Sequence, residues 1–199
     1  AARTVTIDLA GLESFSIDGG DQALADTLIV RAPEASAAPG AFPGTGEVVS
    51  RSAAGLPRLG VSFVDVEDVD VMALNILELD GTLGDDVVQV TASQVIFIDI
   101  FGHANVTDVA GADVVWLALT EGNDLVSVNA AIPLPFQLEI LAGGSDAGGD
   151  ELCYAGAGGA VAMDLADSSI SEAGGSKVTF AGVETFDIDT AGAALAVAG

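Results

Sequence analysis

The chain has 199 residues, half of them hydrophobic, with 30 Asp and Glu against five Lys and Arg and a formal charge of −25. The hydrophobic half suffices for a buried core and argues against a disordered chain. The charge repels nucleic-acid phosphates and anionic lipid headgroups, so no nucleic-acid partner is expected, and without a run of 18 apolar residues no membrane insertion is expected.

Val, Ile, Leu and Ala interrupted by 25 glycines predict short strands joined by tight turns. The segment Ile7-Asp8-Leu9-Ala10-Gly11-Leu12-Glu13-Ser14-Phe15-Ser16-Ile17 alternates apolar residues with a change of phase around Glu13. That pattern predicts two strands meeting at a corner. A turn at Asp18-Gly19-Gly20 then leads to a strand at Asp26-Thr27-Leu28, so residues 1–31 read as a first β-repeat coil. Residues 32–60 form a Pro/Gly/Ala-rich excursion, with Pro33, Pro39, Pro43 and Pro57 and with Arg31, Arg51 and Arg58 in or beside it. The prolines are taken to exclude a central strand. The excursion is either a solvated loop or an arm whose arginines dock on acidic faces of a neighbour.

Residues 61–199 read as the main β-repeat body. Val61-Ser62-Phe63-Val64-Asp65-Val66-Glu67-Asp68-Val69-Asp70-Val71 and Val178-Thr179-Phe180-Ala181-Gly182-Val183-Glu184-Thr185-Phe186-Asp187-Ile188 repeat the 7–17 pattern. A second element, strand, Gly/Asp turn, strand, recurs at Leu79–Val90 and Leu119–Val128, and more weakly at Ala110–Val115 and Gly148–Leu152. The acid before its second strand falls at Asp86, Asp113, Asp124 and Glu151, in steps of 27, 11 and 27 residues. Coils of about 20 to 30 residues accommodate such steps. Val87, Val90, Leu125 and Val128 are expected to face one core as equivalent positions of stacked strands.

Little in the chain suggests catalysis, and no enzymatic role is expected. His103, the only histidine, lies in a turn-like Phe101-Gly102-His103-Ala104 context, and neither a Gly-x-Ser-x-Gly elbow nor a phosphate loop occurs. Asp85-Asp86 and Asp68 with Asp70 recur within repeats, whereas a glycosidase pair need occur only once. Cys153 reads as a buried structural thiol and Trp116 as a core residue on an apolar strand.

The stretch Gly81-Thr82-Leu83-Gly84-Asp85-Asp86-Val87 resembles the opening of the haemolysin-type calcium-binding repeats of secreted bacterial proteins. Gly182-Val183-Glu184-Thr185-Phe186-Asp187-Ile188 looks like motifs of very large bacterial surface proteins. The resemblance implies calcium as a cofactor, with Asp80, Asp85, Asp86, Asn123 and Asp124 as its first candidate ligands and Asp146, Asp150 and Glu151 as the next. In that family the turns are tandem, and here they are not. The other reading is that Asp and Asn serve as turn formers.

The expected fold is all-β, a parallel β-solenoid with a Pro-rich excursion, or alternatively one or more antiparallel β-sandwiches. The expected function is a structural module of an extracellular fibre, surface layer or matrix, secreted or on the cell surface. Identical units are its expected partners, meeting head to tail, because the sequence opens inside one repeat copy and closes inside another. The alternative is a calcium-binding folding or spacer domain of a larger secreted adhesin, toxin or hydrolase.

Overall fold

The structure, a computed structural model, describes residues 4–8, 14–18, 26–39, 45–51, 59–66, 68–98, 104–109, 111–145 and 148–199. Among them there is no helix. The strands are β1 (Thr4–Asp8), β2 (Ser14–Asp18), β3 (Thr27–Pro39), β4 (Gly46–Arg51), β5 (Leu59–Val64), β6 (Asp68–Asp80), β7 (Val87–Val90), β8 (Gln94–Ile98) and β9 (Ala104–Asp108). They continue with β10 (Val114–Ala118), β11 (Leu125–Asn129), β12 (Gln137–Leu141), β13 (Glu151–Ala155), β14 (Val161–Asp164), β15 (Ser169–Glu172), β16 (Val178–Ala181), β17 (Thr185–Asp189) and β18 (Leu195–Ala198).

These strands make two mixed sheets, neither closed into a barrel. The 12-stranded sheet runs β18-β14-β15-β16-β12-β10-β6-β3-β4-β5-β2, with β1 beside β3, and the 6-stranded sheet runs β17-β13-β11-β7-β8-β9. From β10 to β13 the chain crosses from one sheet to the other at every strand, and each strand pairs in parallel with an earlier one of its own sheet, β10 with β6, β11 with β7, β12 with β10 and β13 with β11. Two antiparallel inserts interrupt this order: β8 and β9 follow β7, and the β14–β15 hairpin separates β13 from β16.

Alternation along the strands fills the space between the sheets. Leu77, Leu79, Val115, Leu117, Leu138, Ile140, Val178 and Phe180 of the large sheet meet Val88, Val90, Val126, Val128, Leu152 and Tyr154 of the small one in a single core. Burying each aliphatic side chain contributes about 1.5–3 kcal/mol, so this core is the main source of stability.

Three expectations are corrected here. Val90 and Val128 do share the core, but Val87 and Leu125 are only half-buried and lie on the opposite face, where Val87 pairs with Leu125. Residues three apart on a strand point to opposite sides, so the inward row is Val88, Val90, Val126 and Val128. Trp116 is likewise outside the core, half-buried in a row with Glu78 and Glu139, because Val115 and Leu117 take the inward positions. Finally, β3 is a central strand despite Pro33: the register with β6 shifts between Ala32 and Glu34, and the proline sits in that irregularity, where no ladder N–H is needed. Arg31 lies in β3 and Arg51 in β4, while Arg58 and His103 lie outside the described residues.

Candidate carboxylate ladder

The turns that lead into β7, β11, β13 and β17 stack on one another, and each delivers an acid immediately before its strand. The main-chain N–H of Asp86 donates to Asp124 Oδ1 at 2.8 Å, that of Asp124 to Asp150 Oδ1 at 2.8 Å, and that of Asp150 to Glu184 Oε2 at 2.7 Å. Each step spans one full circuit of the chain, 38, 26 and 34 residues. At the first rung the Asp86 carboxylate accepts from the N–H of Thr82 at 2.8 Å and from its hydroxyl at 3.1 Å. At the last, the Glu184 N–H turns back to the carbonyl of Asp150 at 3.1 Å. A parallel column runs beside it, in which Asn123 N–H donates to Asp85 Oδ1 at 2.8 Å and Gly149 N–H to Asn123 Oδ1 at 3.0 Å.

Glycine makes the close stacking feasible. Gly122 has φ +126°, and a Cβ there would lie 2.6 Å from the carbonyl carbon of Gly84 in the turn below. The threonines reinforce the stack, with the Thr120 hydroxyl donating to the Thr82 carbonyl.

Asp86, Asp124 and Asp150 are buried, Asp124 to 2 % exposure and Asp150 to 1 %, whereas Glu184 is exposed. Asp124 Oδ2 and Asp150 Oδ2 are buried without a hydrogen-bond partner. Burial pushes the Asp124 carboxyl up to about 6, helped by the charges of Asp86, Asp150 and Asp85 and opposed by the Asp86 N–H it accepts. Burial also raises Asp86, against the hydrogen bonds from Thr82. A buried carboxylate with one donor and acidic neighbours is electrostatically incomplete, and a proton or a cation would relieve it.

Of the residues singled out from sequence, Asp85, Asp86, Asn123, Asp124 and Asp150 come together in the two columns. Asp80 ends β6 opposite Ala118, before the turn. Glu151 faces the outer side of β13, its Oε1 3.5 Å from Cys153 Sγ, and Asp146 lies outside the described residues. Glu151 is therefore not the repeated acid; Asp150, one residue earlier, is. Asp113 does not belong to the column either, since it precedes β10 in the large sheet and its carbonyl accepts from Gln137 N–H at 2.9 Å. Glu184, missed as a site residue, carries the same signal as the others: an acid directly before a strand. Among the described residues no group of three or more His, Cys, Asp or Glu is placed to hold a metal ion. The ladder spends an oxygen of each carboxylate on a backbone N–H, which leaves the two buried Oδ2 atoms as a fragment of the six or more oxygens calcium takes.

A second buried carboxylate stands apart from the ladder. Glu172, at the end of β15, accepts from Ala157 N–H at 2.9 Å, from Gly159 N–H at 2.6 Å and from the Tyr154 hydroxyl at 3.3 Å, pinning the β13–β14 connection. Burial, with the adjacent Glu172 charge, pushes the Tyr154 phenol up to about 12. Cys153 is only half-buried, and its thiol is raised by burial, by Glu151 and by Asp187, so it is a poor nucleophile. No protein-family model matches the chain, and no curated protein or solved structure matches it either.

Proposed function

We propose that the part of the chain from β10 onward is a two-sheet parallel β-solenoid with hairpin inserts, and that the protein is a structural module of an extracellular fibre, surface layer or matrix. The observation that carries this reading is the stacking itself: the turns before β7, β11, β13 and β17 are joined one to the next by carboxylate-to-backbone hydrogen bonds, and the strands they lead into lie in parallel register. Repeats stacked on their neighbours build extended, rigid bodies, which supports a structural module. The high negative charge keeps such a strand-rich surface from indiscriminate association. The antiparallel runs β3-β4-β5 and β7-β8-β9 fit the sandwich alternative equally well in the earlier half of the chain. Negative-stain microscopy of the purified full chain tests the module reading: ordered filaments are expected, and single particles at every concentration would refute it.

A calcium-dependent folding or spacer domain is the second reading, and the buried Oδ2 atoms of Asp124 and Asp150 favour it. Under it the chain gains structure on adding calcium and loses it to a chelator.

A further inference from the structure

Trp116, the only tryptophan of the chain, stands in the middle of the outward face of the large sheet, where neither the core nor the ladder uses it. The parallel register places Glu78 of β6 on one side of it and Glu139 of β12 on the other, with Thr179 of β16 beyond Glu139. Along β10 it is flanked on the same face by Val114 and Ala118, since alternate residues of a strand share a face. β10, Val-Val-Trp-Leu-Ala, is therefore apolar on both faces, the pattern of a strand covered on both. The small sheet covers only the inner one, through Val115 and Leu117. Towards β12 and β16 the outward face lies open: Gln137 and Ala181 are exposed and Leu141 is 50 % exposed.

The indole N–H of Trp116 is buried without a hydrogen-bond partner, so what the half-buried ring offers to solvent is carbon, a π surface with no donor. Glu139, half-buried beside it, meets no hydrogen-bond donor or cation among the described residues, Lys177 just before β16 included. A π face attracts a cation, and a carboxylate at its border strengthens the attraction and accepts the N–H groups the cation carries. Guanidinium suits both at once: it is planar enough to lie on an indole, presents a fork of donors to a carboxylate, and is more weakly hydrated than an ammonium. The formal charge of −25 draws basic partners towards the chain from a distance.

We propose that Trp116 and Glu139 form a docking site for an arginine side chain of a basic partner polypeptide, with the guanidinium on the indole face and its N–H groups donating to the Glu139 carboxylate. The site lies on middle strands of the sheet and does not depend on the module reading above.

With one tryptophan in the chain, fluorescence reports on this site alone. Titrating the full chain with a tetra-arginine peptide at low salt is expected to change the tryptophan emission saturably, with the same midpoint by calorimetry. Glu139→Gln is expected to weaken binding about fivefold or more, and Trp116→Leu, followed by calorimetry, by a similar factor. Asp187→Asn removes the same charge from the outward face of the small sheet, beside Cys153, and is expected to leave the affinity within about twofold. Tetra-lysine should bind more weakly than tetra-arginine, having the charge without the planar fork. Circular dichroism checks each fold, and Trp116→Phe, with a smaller loss, replaces Trp116→Leu should that variant fail. Equal affinities for the wild type, Glu139→Gln and Asp187→Asn would leave only the overall charge at work and overturn the proposal. So would an unchanged emission at a peptide concentration that saturates the calorimetric signal. A response to neutral cello-oligosaccharides and none to tetra-arginine would make the face a glycan platform and overturn it as well.

Discussion

Glu172 and Asp124 are both buried carboxylates, and their surroundings could hardly differ more. Glu172 receives two backbone N–H groups and a phenol, whereas Asp124 receives one N–H and is surrounded by the charges of Asp86, Asp150 and Asp85. The first is a complete anion site that clamps a hairpin connection; the second is one rung of a ladder that aligns neighbouring turns at an electrostatic cost. Burial alone therefore does not decide whether a carboxylate stabilises a fold. The number of donors aimed at it does.

Removing the well-served carboxylate should have the larger effect. Glu172→Ala leaves the N–H groups of Ala157 and Gly159 and the Tyr154 hydroxyl without their acceptor, and a loss of about 3 kcal/mol in chemical denaturation is expected. An unchanged midpoint would mean that the hairpin connection does not depend on this site.

The ladder should respond in the opposite sense. The Asp124 carboxyl titrates near 6 when folded, above its ordinary 3.8, so the folded chain keeps a proton that the unfolded chain has released. Its contribution is greatest in acid and is lost as pH rises from about 4 to about 6. Asp124→Asn keeps an oxygen for the Asp86 N–H and removes the charge. It is expected to raise stability at neutral pH by about 2 kcal/mol and to flatten that stretch of the pH profile. A loss of stability at neutral pH would show that the charge itself is needed.

The smallest expected effect separates the ion from the proton. If a cation completes the ladder, millimolar calcium raises the melting temperature of the wild type by a few degrees, about 1 kcal/mol, and this gain disappears in Asp124→Asn with Asp150→Asn. Glu172→Gln should retain it. Equal melting in calcium and in chelator would leave the acids with the turn-former role alone.

How much of this was legible in the sequence depends on the range of the interaction. Period-two alternation reveals strands, and β7, β10, β11, β13, β16 and β17 stand where the repeats place them. Alternation does not reveal which of its two phases faces inward, and that choice was misjudged at Val87, Leu125 and Trp116. The same one-residue slip put Glu151 where Asp150 belongs. Phase is fixed by pairing between strands distant in the chain, and the β8–β9 insert lengthens the first step to 38 residues, so equal spacing is a misleading guide to equivalence. Asp86, Asp124, Asn123 and Asp150 were found because turn chemistry is local. That an Asp side chain reaches the backbone of the turn beside it is a property of tertiary stacking, which no single turn encodes.

The unequal circuits also give the stack a mechanical grain. In the solenoid proposed above, a load pulling the ends apart along the stacking axis meets the ladder one rung at a time, and each rung that yields releases its own circuit of chain, 38, 26 or 34 residues. At full extension these are roughly 13, 9 and 12 nm of slack. Such a body gives way in discrete lengths instead of snapping, and the hairpin inserts, by lengthening individual circuits, set how much reach each failure yields before the next rung takes the strain.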